Sequence, residues 1–128
     1  MEVNQSLFAV SEQLVQDKLN ELNDKVVSAI EKSLEAGTDY WKAARSNDKG
    51  DLAAIAGRQN LVAQAHGVWQ SAVAKHAAYL AIVDQAKDDF LAAMGDAIEA
   101  LELGDASQED YDARMGAAEQ AYFDAVNQ

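Results

Sequence analysis

The chain has 128 residues, 49% of them hydrophobic, and contains neither proline nor cysteine. Its net charge of −12 argues against a surface that binds phosphate backbones, so no nucleic-acid partner is expected. Without cysteine there are no disulfides or thiolate metal sites, and without proline the chain lacks turn signals typical of β folds. The length predicts one domain, residues 1–128.

The opening residues, MEVNQSLFAVSEQL, carry no basic segment and no long apolar run. We therefore expect neither a signal peptide nor a transmembrane segment. A chain without cysteine also suits a reducing compartment, and a cytoplasmic location is expected.

The first predicted helix covers about residues 5–36. Its large apolar side chains recur at steps of three, four and seven residues, which form one stripe on a helix; they include Phe8, Val15, Leu19, Leu22, Val26, Ile30 and Leu34. Asn4 or Ser6 can cap its start. Gly37 weakens the pattern, so a separate short helical segment is predicted over about 38–45. A turn is predicted at Ser46–Gly50, where turn-favouring residues cluster.

A long helix is predicted over about 51–103, because apolar residues follow a heptad repeat typical of a coiled coil. One core position falls at Ile55, Val62, Trp69, His76, Val83, Phe90 and Ala97. The other falls at Leu52, Gln59, His66, Val73, Leu80, Lys87, Met94 and Leu101. Such a helix is continuous or bends at Gly57, Gly67 or Gly95. The predicted fold is all-α, an elongated bundle or coiled coil of three to four helices.

The last helix is predicted over about 108–126. Gly104 supplies a helix stop, and Ser107 with Asp110 resembles a capping box. An apolar stripe follows at Tyr111, Met115, Ala118, Tyr122 and Val126.

Charge is concentrated in the last third of the sequence. Residues 1–83 have a net charge of −2, whereas residues 84–128 have a net charge of −10. One interpretation is a solvated surface. The other is an acidic docking face for a basic partner, formed by Asp88, Asp96, Glu99 and Glu102.

Residues suited to chemistry are few. His66 and His76 lie ten residues apart, about 80° around and about 15 Å along one helix, so they cannot share a metal within one chain. Neither has a glutamate at the spacing used by di-iron bundles. No phosphate-binding loop or nucleophile motif is present. We therefore expect no catalytic residues, metal or other cofactor, and a protein that is not an enzyme.

The aromatic and large aliphatic side chains supply the candidate interaction residues. Trp69 and Phe90 suit ordinary core packing, while Trp41 suits either a staple at the turn or an exposed anchor. The candidate apolar interaction face comprises Trp41, Leu52, Ile55, Val62, Trp69, Val73, Leu80, Val83 and Phe90.

Two segments, GTDYWKAA at 37–44 and DLAAIAGRQNLVAQ at 51–64, carry a family resemblance. The chain from about Leu14 to Ala97 resembles phasins, the proteins that coat bacterial polyhydroxyalkanoate granules. The resemblance implies a granule-associated cytoplasmic protein that self-associates through coiled-coil contacts and lays apolar helix faces on the polyester. The acidic segment 84–128 has no counterpart in that family.

Two functions are therefore expected as alternatives. The first is non-enzymatic coating of a polyester granule or other apolar surface. The second is an acidic helical interaction module, such as an assembly or secretion chaperone, an adaptor or a phage component, that binds a basic client. The long heptad repeat also predicts a homo-oligomer, a dimer or tetramer, because one chain cannot cover it fully.

Overall fold

The computed structural model describes residues 6–45 and 52–128, in which all regular structure is helical. Helix α1 spans Leu7–Arg45, α2 spans Leu52–Glu102 and α3 spans Gln108–Val126. The all-α prediction is confirmed. The chain divides into two compact units. We call residues 1–19 with 78–128 the three-helix unit, and residues 20–77 the helix-pair unit.

Helix α1 is longer than predicted. It continues through Gly37, so the separate segment predicted over 38–45 is part of α1. Glycine in a helix interior costs only about 1 kcal/mol relative to alanine, which does not by itself end a helix. Within this continuous helix, Thr38 donates its hydroxyl hydrogen to the Leu34 carbonyl at 2.9 Å. The predicted turn at Ser46–Gly50 lies outside the described residues.

Three other helix ends follow the sequence signals closely: the start of α1, the end of α2 and the start of α3. The Ala9 N–H donates to the Ser6 hydroxyl at 3.2 Å, so Ser6 caps α1. Helix α2 runs without interruption through its three glycines, and Gly104 follows it with φ +77°, the left-handed conformation that glycine tolerates best. Ser107 and Asp110 form the predicted capping box at the start of α3.

The heptad register of α2 is correct at the first core position and, at the second, wrong from Leu52 to Lys87 but correct at Met94 and Leu101, which are half-buried. All seven residues from Ile55 to Ala97 at the first position are buried or half-buried. From Leu52 to Lys87, the second position is exposed throughout. The covered residues lie one position earlier, at Ala65, Ala72, Tyr79 and Ala86. Alanine allows two helices to approach closely, so alanine occupies most of these positions at the helix–helix contact. The larger side chains one residue later lie at the edge of that contact.

The three-helix unit has a dense core, in which aromatic side chains from all three helices meet. The Phe8 and Phe90 rings stack with centroids 4.8 Å apart, and the Phe8 ring lies 5.3 Å from that of Tyr122. The predicted stripe of α3 is confirmed, since Ala118, Tyr122 and Val126 are buried.

Two hydrogen bonds attach α3 to the other helices of this unit. The Tyr122 hydroxyl donates to the Glu12 carboxylate of α1 at 2.6 Å. The Tyr79 hydroxyl of α2 donates to the Val126 carbonyl at 2.8 Å. The second bond satisfies one of the carbonyls that a helix leaves unpaired at its C-terminus. Burial raises the pKa of both tyrosines, and the Glu12 hydrogen bond and charge raise that of Tyr122 further.

No helix in the described ranges is both long and apolar enough to cross a bilayer.

Candidate functional site

The two units differ in net charge. The three-helix unit has 15 acidic and 3 basic residues in its sequence, a net charge of −12. The helix-pair unit has seven of each, so its net charge is zero. The charge of the whole chain is therefore the charge of one unit.

Within the helix-pair unit, charged side chains are gathered on one side. There α1 and α2 border a groove of about 1000 Å³, whose lining includes Lys25, Lys32 and Lys75. Adjoining depressions add Arg58, Asp39 and other charged residues. Of the eleven charged residues that the structure describes in this unit, nine line these grooves; the exceptions are Glu31 and Arg45. We call this the charged side.

The opposite side of α1 is apolar. Lys25, Lys32 and Asp39 form a row of residues seven apart on the charged side. Val27, Leu34 and Trp41 form a second row, two residues later in each heptad, which is about 200° around the helix. All three side chains of the second row are exposed.

Helix α2 repeats this division. Gln64 and Ser71 line the charged groove, and His66 and Val73 follow two residues later on the opposite side. A shallow depression there is lined by His66, Trp69, Gln70, Val73, Ala74 and Ala77, none of them carboxylate, lysine or arginine. The rings of His66 and Trp69 meet edge to face, with centroids 5.6 Å apart.

Because both helices border the charged groove, their opposite sides lie together on the other surface of the pair. We call this surface the aromatic side, formed by Val27, Ile30, Leu34 and Trp41 of α1 and Ile55, Val62, Trp69 and Val73 of α2. Helical periodicity places Arg45, at the end of α1, on this side, and Glu31, four residues after Val27 and three before Leu34, borders it.

The predicted apolar interaction residues are divided between the two units. Trp41, Leu52 and Val73 are exposed in the helix-pair unit, where Ile55, Val62 and Trp69 are half-buried. Leu80 is exposed in the three-helix unit. Val83 is buried in that unit, and half-buried Phe90 stacks on Phe8, so both serve its core. Sequence reasoning did not select Val27 and Leu34, although their seven-residue spacing from Trp41 was visible.

The candidate acidic docking residues all lie on α2 in the three-helix unit. Asp88, Asp96, Glu99 and Glu102 are exposed. Helical geometry places them within an arc of about 120°. They therefore share one side of the helix.

The histidines do not form a metal site in the structure. His66 is exposed beside Trp69, and His76 is half-buried. Among the described residues, no group of three or more histidine, cysteine or acidic side chains is arranged to hold a metal ion.

Comparison with known proteins gives no relative. No protein-family model matches the chain, and no curated protein or solved structure shows significant similarity to it.

Proposed function

We propose that the protein is a non-enzymatic coat protein that binds an apolar particle through the aromatic side of its helix-pair unit. The observation that carries the proposal is the separation of side chains within that unit. Nine of eleven described charges lie on the charged side, which also exposes Leu61 and Val68, whereas the other side exposes large apolar side chains with almost no charge among them. Exposed apolar patches of this kind mark interaction sites.

Burial of the exposed apolar side chains against an apolar surface would supply the free energy of binding. Full burial of a large apolar side chain contributes about 1.5–3 kcal/mol, so Val27, Leu34 and Trp41 together supply several kcal/mol. An anionic membrane surface is a poorer target, because helices that lie on such membranes carry lysine and arginine on their polar face. The charged side here is close to balanced, with five basic and four acidic residues lining its grooves.

The resemblance to phasins suggests which particle this is, a polyhydroxyalkanoate granule. In this proposal the −12 charge of the three-helix unit keeps coated granules apart by repulsion between like charges. The proposal also keeps the prediction that α2 packs as an elongated coiled coil. The buried and half-buried residues of that helix recur every seven positions, which supports it.

Co-sedimentation with protein-stripped polyester granules, at low and high salt, tests the proposal. Binding is expected to persist at high salt, because apolar burial is not screened by ions. Trp41→Glu and Leu34→Glu are expected to abolish it. Leu61→Glu is the matched control, since Leu61 is also exposed in the same unit but lies on the charged side. Absence of wild-type binding, or equal loss in all three variants, would refute the proposal.

The acidic face supports a second candidate function, binding of a basic client protein. The supporting observation is the exposure of Asp88, Asp96, Glu99 and Glu102 on one side of α2, in the unit that carries all the net charge. Complementary charge of this kind accelerates and directs association, and its effect weakens as salt rises.

Charge reversal of those four residues to lysine separates the two candidates. Binding to a basic client is expected to be lost, whereas granule binding is expected to remain, because the aromatic side is unchanged. Granule binding that disappears in this variant would argue against the coat proposal.

A further inference from the structure

On the basis of the proposed function, we infer that His66 makes binding of the aromatic side to an apolar particle depend on pH. The neutral imidazole permits binding, and the protonated imidazole opposes it. Histidine is the side chain that ordinarily changes its charge between pH 5 and 8. Protonation of one residue is therefore enough to place a charge on this side.

His66 lies at the centre of the part of the aromatic side that α2 forms. It belongs to a row of residues seven apart, all of them exposed: Leu52, Gln59, His66 and Val73. His66 follows half-buried Ala65 by one residue, which places it about 100° around α2 from the contact with α1. A particle lying against the aromatic side would therefore cover the imidazole.

The immediate neighbours of His66 are apolar or neutral. Its ring meets the indole of Trp69 edge to face, with centroids 5.6 Å apart. Both residues line the same shallow depression with Val73, and no carboxylate, lysine or arginine lines that depression. A protonated imidazole covered by a particle would have no opposite charge in this depression to replace the lost water.

Glu31, the carboxylate that borders the aromatic side, does not face His66. Glu31 follows buried Ala29 by two residues, which is about 200° around α1. Because Ala29 faces α2, Glu31 lies on the side of α1 that points away from α2. It is therefore not placed to pair with an imidazolium at His66.

Arg45 lies far from His66 along the pair. Lys42 of α1 and Arg58 of α2 line one depression and so mark the same level of the two helices. His66 is eight residues from Arg58, and Arg45 lies three residues beyond Lys42 in the other direction, which separates them by about 16 Å along the helix axes. The other charges described in this unit line the grooves of the charged side.

The bound state therefore favours the neutral imidazole. Transfer of an unpaired charge from water to an apolar contact is unfavourable, so a protonated histidine releases its proton when the particle covers it. The apparent affinity then falls about tenfold for each pH unit below the ordinary histidine pKa of about 6.5.

Granule co-sedimentation at about pH 7.5 and about pH 5.5, one unit above and one unit below that ordinary pKa, is the experiment. The wild type is expected to bind about tenfold more weakly at the lower pH. His66→Gln, which cannot be protonated, is expected to bind equally at both. His66→Lys is expected to bind more weakly than His66→Gln at both. Circular dichroism checks that the variants stay folded, which we expect because His66 is exposed.

The matched control is His76→Gln. His76 is the other of the two histidines in the chain, and it is half-buried on α2. This variant is expected to keep the pH dependence of the wild type. Wild-type binding that does not change with pH, or a pH dependence that survives His66→Gln or disappears in His76→Gln, would overturn the inference.

Retention of the same proteins on a phenyl-substituted resin at both pH values separates this inference from the coat proposal. Retention that weakens at the lower pH only while His66 is present, without granule binding, would support the role of His66 and refute the polyester coat. Granule binding that is equal at both pH values would support the coat and overturn the role of His66. Absence of both retention and granule binding would overturn both.

Discussion

The three-helix unit and the helix-pair unit contain parts of the same two long helices but bury their side chains to different extents. Of the twelve buried residues within the described ranges, ten belong to the three-helix unit. Only Leu22 and Ala29 are buried in the helix-pair unit. The difference shows what a third helix contributes. Two helices cover one stripe of each other, and a further apolar stripe needs another surface.

This comparison assigns different roles to similar residues. Tyr122 is enclosed by two phenylalanine rings and hydrogen-bonded to Glu12, so it holds its unit together. Trp41 contacts Tyr40 and is 64% exposed. In the three-helix unit this aromatic residue stabilises the fold, whereas in the helix-pair unit the aromatic residue is exposed on the surface.

The largest expected effect is therefore that of Tyr122→Ala. Removing this buried ring is expected to lower the free energy of unfolding by about 3–5 kcal/mol, because it leaves a cavity and removes the hydrogen bond to Glu12. Urea denaturation followed by circular dichroism measures the change. Trp41→Ala, an equally drastic truncation, is expected to change the value by less than about 0.5 kcal/mol. Similar losses in the two variants would remove the contrast between the units.

A smaller effect is expected from enlarging a core alanine. Ala97 is 1% exposed, and Ala97→Leu is expected to destabilise the chain by about 1–3 kcal/mol through overpacking. The exposed neighbour Ala93 is the control, since Ala93→Leu keeps a strong helix former at the surface. Thermal melting of both variants measures the difference. A stable Ala97→Leu variant would show that alanine does not define close packing there.

The tyrosine hydroxyls give an effect that depends on pH. Tyr79→Phe leaves the Val126 carbonyl without this donor and is expected to cost about 1–2 kcal/mol near neutral pH. Burial in the folded state raises the pKa of Tyr79 above its ordinary value of 10.0, so the neutral tyrosine stabilises the fold fully below that pH. As pH rises above 10.0, the wild type is expected to lose stability faster than the variant. Parallel urea midpoints across that range would contradict this account.

The smallest expected effect is a stabilisation of the helix-pair unit. A Cβ atom built at Gly67 meets no atom within 4 Å, so Gly67→Ala is expected to raise the free energy of unfolding by about 0.5–1 kcal/mol. Gly104→Ala provides the opposite case, because its φ of +77° strains any residue with a side chain. Thermal melting is expected to show shifts of opposite sign, and shifts of equal sign would argue against this backbone explanation.

Local features of the fold were predictable from the sequence where side chain and backbone interact directly. Ser6, Gly104 and the Ser107–Asp110 box act within one turn of chain, so their patterns determine helix ends. The register of α2 was misjudged because large side chains were taken to mark the core. Ala65, Ala72 and Ala86 occupy the core position instead. The distance between two packed helices decides whether methyl groups or larger side chains fit between them, and sequence periodicity does not reveal that distance.

The candidate site was partly predictable for a similar reason. Trp41 and Val73 were selected, and both are exposed. Periodicity shows that Val83 and Trp69 lie on the same apolar stripe of α2. It does not show that α3 packs against the part of the stripe that contains Val83. Whether an apolar residue becomes core or surface depended on which segment the third helix covers, a long-range property of the chain.

Both tryptophans of the chain, Trp41 and Trp69, lie in the helix-pair unit, whereas Tyr79, Tyr111 and Tyr122 lie in the three-helix unit. Intrinsic tryptophan emission therefore reports on one unit alone, and no label is needed. The half-buried indole of Trp69 beside His66 and the exposed indole of Trp41 sample different environments within that unit. Comparing emission with far-ultraviolet circular dichroism during unfolding would show whether the two units unfold together or in separate steps.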